Sequence, residues 1–173
     1  GVFFGYFMVS DGKLVSFGHL DYERVMASPD LDFFVSPGTY NDRMIGGGSG
    51  PQLVDGTLLR HGKRYLHEID HRTHGVSGSP GSENRWKTQA EDNAGLTREA
   101  AFALINHASL WWFDMWGGWY PNEETRQLIG RLKKISDAYV SDRSPSVAEA
   151  LLVADPQSAY GVNEKMPHAS AMA

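Results

Sequence analysis

The run Lys63-Arg64-Tyr65-Leu66-His67-Glu68-Ile69-Asp70-His71-Arg72-Thr73-His74 admits two backbone conformations, and each dictates a different protein. As a strand it puts Leu66, Glu68 and Asp70 on one face and delivers Glu68 to the carboxyl end of a sheet, a carboxylate over a pocket. As a helix, His67-Glu68-Ile69-Asp70-His71 spells H-E-x-x-H, with imidazoles one turn apart as a zinc protease needs. Titratable groups this dense point to chemistry in either case. The flanks lean toward the strand. A helix would have to start near Lys63 and end by Gly75, carrying the weak helix formers Tyr65, Ile69 and Thr73 through about three turns.

The rest of the chain reads as alternating strands and helices. Residues 2–9 are aromatic and branched and end at Ser10-Asp11-Gly12, which predicts a buried strand. Leu20, Val25 and Met26 recur at helical spacing over 19–27, and Pro29 stops that helix. A second short strand follows at 31–35. Residues 37–50, with Gly46-Gly47-Gly48 and Gly50, read as a mobile loop, because no phosphate-binding pattern accompanies the glycines. A short helix is expected over 51–60, with Pro51 in its first turn and Gly62 past its end. Residues 97–107 predict an amphipathic helix, with a start as early as Arg85 left open, and 109–115 a further strand. Asn122 caps a helix running to about Tyr139, with Glu123 and Glu124 in its first turn. Residues 141–146 are a polar linker and 147–154 a new strand, so the domain reading is 1–141 followed by 142–173 as a linker and the start of a second domain.

Strands at 2–9, 31–35, 63–69 and 109–115 alternating with helices make successive β/α units of a parallel sheet, an α/β protein equivalent to half of a TIM (β/α)8 barrel. Ser36-Pro37, Glu68-Asp70 and Asp114-Trp116 would then all lie at strand carboxyl ends, where that fold keeps its chemistry. The chain begins inside an apolar run without an initiator Met, as a piece cut from a longer chain would.

A net charge of −5 and scattered basic residues speak against a nucleic-acid surface. With no cysteine, any metal would need His, Asp or Glu. No apolar run approaches the roughly 20 residues that span a bilayer, and no basic region precedes the first apolar segment as in a signal peptide. The compartment stays open.

Ser-Pro-Gly-Thr-Tyr at 36–40, His-Gly-Lys-Arg-Tyr-Leu-His-Glu-Ile-Asp at 61–70 with Arg72-Thr73-His74, and Leu-Trp-Trp-Phe-Asp-Met-Trp-Gly-Gly-Trp at 110–119 resemble clan A glycoside hydrolases, specifically the β-galactosidase-like proteins related to family 42. The resemblance implies the C-terminal half of a catalytic barrel, strands five to eight, with 147–160 similar to the first strand of the glutamine-amidotransferase-like trimerisation domain of such enzymes. It implies a retaining O-glycosidase in which Glu68 matches the nucleophile at the end of the seventh strand. The general acid/base of the family stands at the end of the fourth strand, for which the chain has no match. A retaining enzyme needs both carboxyls about 5–5.5 Å apart, so the fragment alone is expected to be inactive. The family more often has an acidic residue directly after this Glu, where the chain has Ile69.

Each signal has a plainer reading beside it. Glu68 is the nucleophile or a carboxylate paired with Arg64 or Arg72. Asp70 and His67 are candidate substrate contacts or salt-bridge and hydrogen-bonding partners, and His71 and His74 are of the second kind. Trp111 and Trp112 point to opposite faces, so at least one only packs. Trp116 and Trp119, beside paired glycines, are candidates for stacking on a sugar ring. Asp114 binds a sugar hydroxyl or serves as a cap, and Tyr40 and Arg43 line the pocket or fix their loop. The glycosidase reading requires a carbohydrate substrate and no metal or organic cofactor, with a homo-oligomeric full-length protein. The alternatives are a zinc metallohydrolase using His67, Glu68 and His71, or a carbohydrate-binding barrel without catalysis. The open edge of a half barrel should make the isolated fragment self-associate.

Overall fold

The chain forms an α/β structure whose parallel sheet carries its helices on one face. The structure, a computed structural model, describes residues 4–6, 19–40, 42–77, 84–115, 117–139, 141, 144–145 and 147–153. Strands β1 (Phe4–Tyr6), β2 (Phe33–Pro37), β3 (Arg64–Ile69) and β4 (Ser109–Trp112) pair in the order β1-β2-β3-β4, all parallel. Helices α1 (Tyr22–Met26), α2 (Asp55–Arg60) and α3 (Gln89–Ile105) connect them, and α4 (Glu123–Tyr139) follows β4. Order along the sheet follows order along the chain without reversal.

Alternation along the strands decides what each face does. Phe34 of β2 and Tyr65 of β3 pack with Met26 of α1, Leu58 of α2 and Ala103 of α3. Ile69 of β3 packs with Trp86, with Leu96 and Ala100 of α3, and with Leu128 and Leu132 of α4. Each fully buried large apolar side chain here contributes about 1.5–3 kcal/mol. Both clusters lie on the same face of the sheet, because Phe34 is in register with Tyr65, and Ile69 lies two residues beyond His67. The opposite face, carrying Val35, Leu66, Glu68 and Trp111, contributes no residue to either cluster.

Several boundaries differ from expectation for local reasons. The third helix begins at Gln89, earlier than residue 97, because Thr88 caps it by accepting from the Glu91 amide at 3.2 Å. Strand β4 ends at Trp112: Phe113 donates a last amide to Ile69 O, and Asp114 then turns the chain. Residues 51–60 give a helix only from Asp55, since Pro51 bridges to Gly38. The glycine-rich loop is not loose where described: Thr39 N donates to Gly50 O at 2.8 Å, and the Arg43 and Arg98 guanidiniums fasten it from both sides. The strand expected over 147–154 does not form in the described residues 147–153, whose Val147, Leu151, Leu152 and Val153 are exposed and have no neighbouring strand to complete a ladder. Of the strand expected at 2–9, residues 4–6 are a strand and the rest lies outside the described residues, as does the segment from residue 154 onward. Among the described residues no helix is long and apolar enough to cross a membrane.

Candidate active site

Because residues 64–69 are a strand, His67 and Glu68 point to opposite faces of the sheet. The H-E-x-x-H helix of the zinc alternative is therefore not formed. Glu68, which would serve as the base, lies on the face away from the two imidazoles, and no group of three or more side chains able to hold a metal converges among the described residues.

Glu68 lies at the carboxyl end of β3, in register with Pro37 on one side and Trp111 on the other. It is 4 % exposed, on the face against which, among the described residues, no helix packs. Around it stand Asp70, Arg43 and Tyr40, delivered by the loops after β3 and β2. The Arg43 guanidinium donates to the Asp70 carboxylate at 2.7 Å, and also to the carbonyls of Thr39 and Gly38 at 2.8 and 2.9 Å. It lies over the Tyr40 ring, 4.6 Å from its centre. Burial, then the negative charge of Asp70, pushes the Tyr40 phenol above its ordinary pKa, with a smaller push from Glu68. Tyr40 thus keeps its proton and hydrogen-bonds the Asp70 carboxylate. Tyr120 adds a second neutral phenol, donating to Ile69 O at 3.0 Å. Its pKa is raised by burial first, then by Asp114, Asp70 and Glu68.

The sequence candidates Glu68, Asp70, Arg43 and Tyr40 are therefore brought together. Asp70 is occupied by Arg43 and Tyr40, which makes it the holder of both groups. Arg43–Asp70 is a buried pair, and removing one partner from such a pair costs about 3–5 kcal/mol.

His67 lies elsewhere. Its ring is fully buried on the helix side, with Nδ1 2.7 Å from the Tyr65 hydroxyl and Nε2 3.0 Å from the Glu99 carboxylate of α3. The expectation of a substrate contact at His67 gives way to a supporting place behind the sheet. His71 Nε2 approaches the other oxygen of Glu99 at 3.4 Å, and its ring stacks on Trp86. Burial first, then the positive charge of Arg43, lowers the His71 pKa well below the ordinary value, so this ring is neutral. His74 completes the series: its amide and Nδ1 meet the Asp92 carboxylate at 2.9 and 2.6 Å. Glu99 and Asp92 are fully buried, seven residues apart on one face of α3. Burial, the largest influence, would raise the Glu99 pKa, but the His67 hydrogen bond and the polar groups around it outweigh it and hold the carboxyl at about 2. Gly38 sits against this cluster. A Cβ there would come within 2.9 Å of His71 Cε1 and 3.2 Å of Glu99 Oε2, so only glycine lets β2 end here.

The residues after β4 divide. Trp111 is 39 % exposed on the Glu68 face, whereas Trp112 packs edge-on against Tyr120 on the other. Asp114 accepts from the amides of Gly118 and Trp119 at 3.0 and 3.1 Å, tying a turn in which Gly117 and Gly118 have φ of 78° and 82°. This is the capping role. Trp119 is 2 % exposed, beneath the Arg72 guanidinium, and its carbonyl accepts from the Thr73 hydroxyl, so it offers no open platform. Trp116 lies outside the described residues. A scan against protein-family models, a search of curated proteins and a search of solved structures each find no match.

Proposed function

We propose that this chain is the C-terminal half of the (β/α)8 barrel of a retaining β-galactosidase-like glycosidase, with Glu68 as its nucleophile. The observation that carries the reading is the place of Glu68: at a strand's carboxyl end, on the helix-free face, beside a phenol and a guanidinium already bound to a second carboxylate. Strand order that follows chain order, with the helices among the described residues on one face, supports a barrel over a doubly wound sheet, which reverses its order and is covered on both sides.

In this mechanism Glu68 attacks the anomeric carbon and the leaving oxygen takes a proton from an acid outside the chain. Water then hydrolyses the glycosyl ester with that same group as base. Tyr40 and Arg43, fixed through Asp70, border the nucleophile. Trp111, in register with Glu68 and exposed, takes over the platform role expected of Trp119. Residues 142–173 lead from the barrel into a following domain of an oligomeric enzyme.

The test is trapping. The longer protein that supplies the acid/base is incubated with a 2-deoxy-2-fluoro-galactosyl fluoride and digested. A glycosyl adduct on the peptide holding Glu68 is expected. An adduct on another carboxylate refutes the assignment, and binding without turnover or adduct points to the carbohydrate-binding barrel instead.

A further inference from the structure

The loop that brings Tyr40 and Arg43 to Glu68 has little apolar packing of its own. Its large side chains Tyr40, Met44 and Ile45 are exposed, and among the described residues no helix or strand forms between residues 39 and 50. Its base is closed by the Thr39–Gly50 hydrogen bond, and its tip by turns such as Gly47 N to Met44 O at 3.0 Å. Its middle is held from α3. Arg98 donates through Nη2 to Arg43 O at 2.8 Å and through Nη1 to Met44 O and Gly47 O at 3.0 and 3.1 Å. The third nitrogen, Nε, donates to Glu99 Oε1 at 3.0 Å, which fixes the plane of the fork.

We propose that Arg98 is a positioning residue for the carboxylate cluster, holding the main chain at residue 43 so that the Arg43 side chain reaches Asp70 and Tyr40 stands beside Glu68. The inference rests on the glycosidase reading of that cluster. Arg43 is gripped at both ends, its carbonyl by Arg98 and its guanidinium by Asp70. Glu99 links this grip to the strand itself, because its second oxygen accepts from His67 of β3. Loop and strand are thereby referenced to one carboxylate. A lysine, with a single nitrogen, cannot reach carbonyls spread over residues 43–47 while keeping the Glu99 contact.

The experiment uses Arg98→Ala and Arg98→Lys in the longer protein, with 4-nitrophenyl β-galactoside as substrate and hydrogen exchange of the loop amides as a second readout. For Arg98→Ala a fall in kcat of about 10- to 100-fold is expected, with KM changed far less, since misplacement by about 1 Å suffices for such losses. Added guanidinium should restore part of the rate, which loss of general stability would not allow. The amides of Gly47 and Ser49 should exchange faster, while that of His74, held by Asp92, keeps its rate. A kcat within about twofold of the parent, or loop amides that exchange as before, overturns the proposal. If Arg98→Ala does not fold, Arg98→Lys carries the same comparison. A parent protein without hydrolysis refutes the glycosidase reading, and loop exchange alone then decides whether Arg98 places residue 43.

Discussion

The two faces of β3 carry nearly the same chemistry to different ends. Toward the helices, Tyr65 meets His67, His67 and the following His71 meet Glu99, and His74 meets Asp92, each carboxylate fully buried. Toward the open face, Glu68 and Asp70 are also buried, yet their neighbours Tyr40 and Trp111 are 38 % and 39 % exposed. The first set is closed, with its charges answered within the chain. The second opens to solvent through aromatic side chains, which the proposed sugar site requires. Density of titratable residues along a sequence therefore does not mark one site: in a strand, period two splits the run between a closed scaffold and the proposed reaction centre.

The division can be broken by variants that should affect one face and spare the other. The largest effect is expected from Glu68→Gln, a loss of about 10⁴-fold or more in kcat of the longer protein, with an unfolding midpoint no lower than the parent's. Steady-state kinetics and urea unfolding on the same sample check it. Glu99→Ala should do the reverse at the level of the fold, lowering stability by about 3–5 kcal/mol because Arg98 loses its buried counter-charge and His67 its hydrogen-bond partner. Acid should unfold the helix side in steps. The unfolded chain binds a proton at His71 near the ordinary 6.5 while the folded ring resists it, so stability is full above that pH and is lost below it. Glu99, held at about 2 against an ordinary 4.5, adds stability that is full above about 4.5 and lost as pH falls toward 2. Urea midpoints against pH, with His71→Gln removing the upper step, sharpen the assignment. The smallest effect belongs to Asp114→Ala, about 1 kcal/mol from a lost turn cap, with kcat unchanged.

Much of the open face was legible in the sequence, since a six-residue strand with a polar exit fixes where Glu68 and Asp70 point. Tyr40 and Arg43 could be placed beside them because both follow a strand end. The helix side was not legible. Asp92 and Glu99 look like ordinary solvated helix charges, and only their spacing of seven, with Gly95 and Ala103 along the same stripe, marks a buried face. The start of α3 lies at Thr88-Gln89-Ala90-Glu91, a capping-box pattern within the span left open between Arg85 and Thr97. Trp119 was misplaced because its cover is Arg72, a contact between loops that no local period encodes. The loop after β2 looked mobile for its glycines, whereas a clamp from a helix more than fifty residues away holds it.

The most direct measurement is rescue of a nucleophile-less variant. Glu68→Gly in the longer protein, supplied with azide and an activated aryl β-galactoside, should recover turnover and release the α-galactosyl azide, because the small anion enters where the carboxylate stood and attacks the same face. Parent-like hydrolysis by Glu68→Gly without azide, or a β-configured product, would contradict the assignment of Glu68 as the group that attacks the sugar.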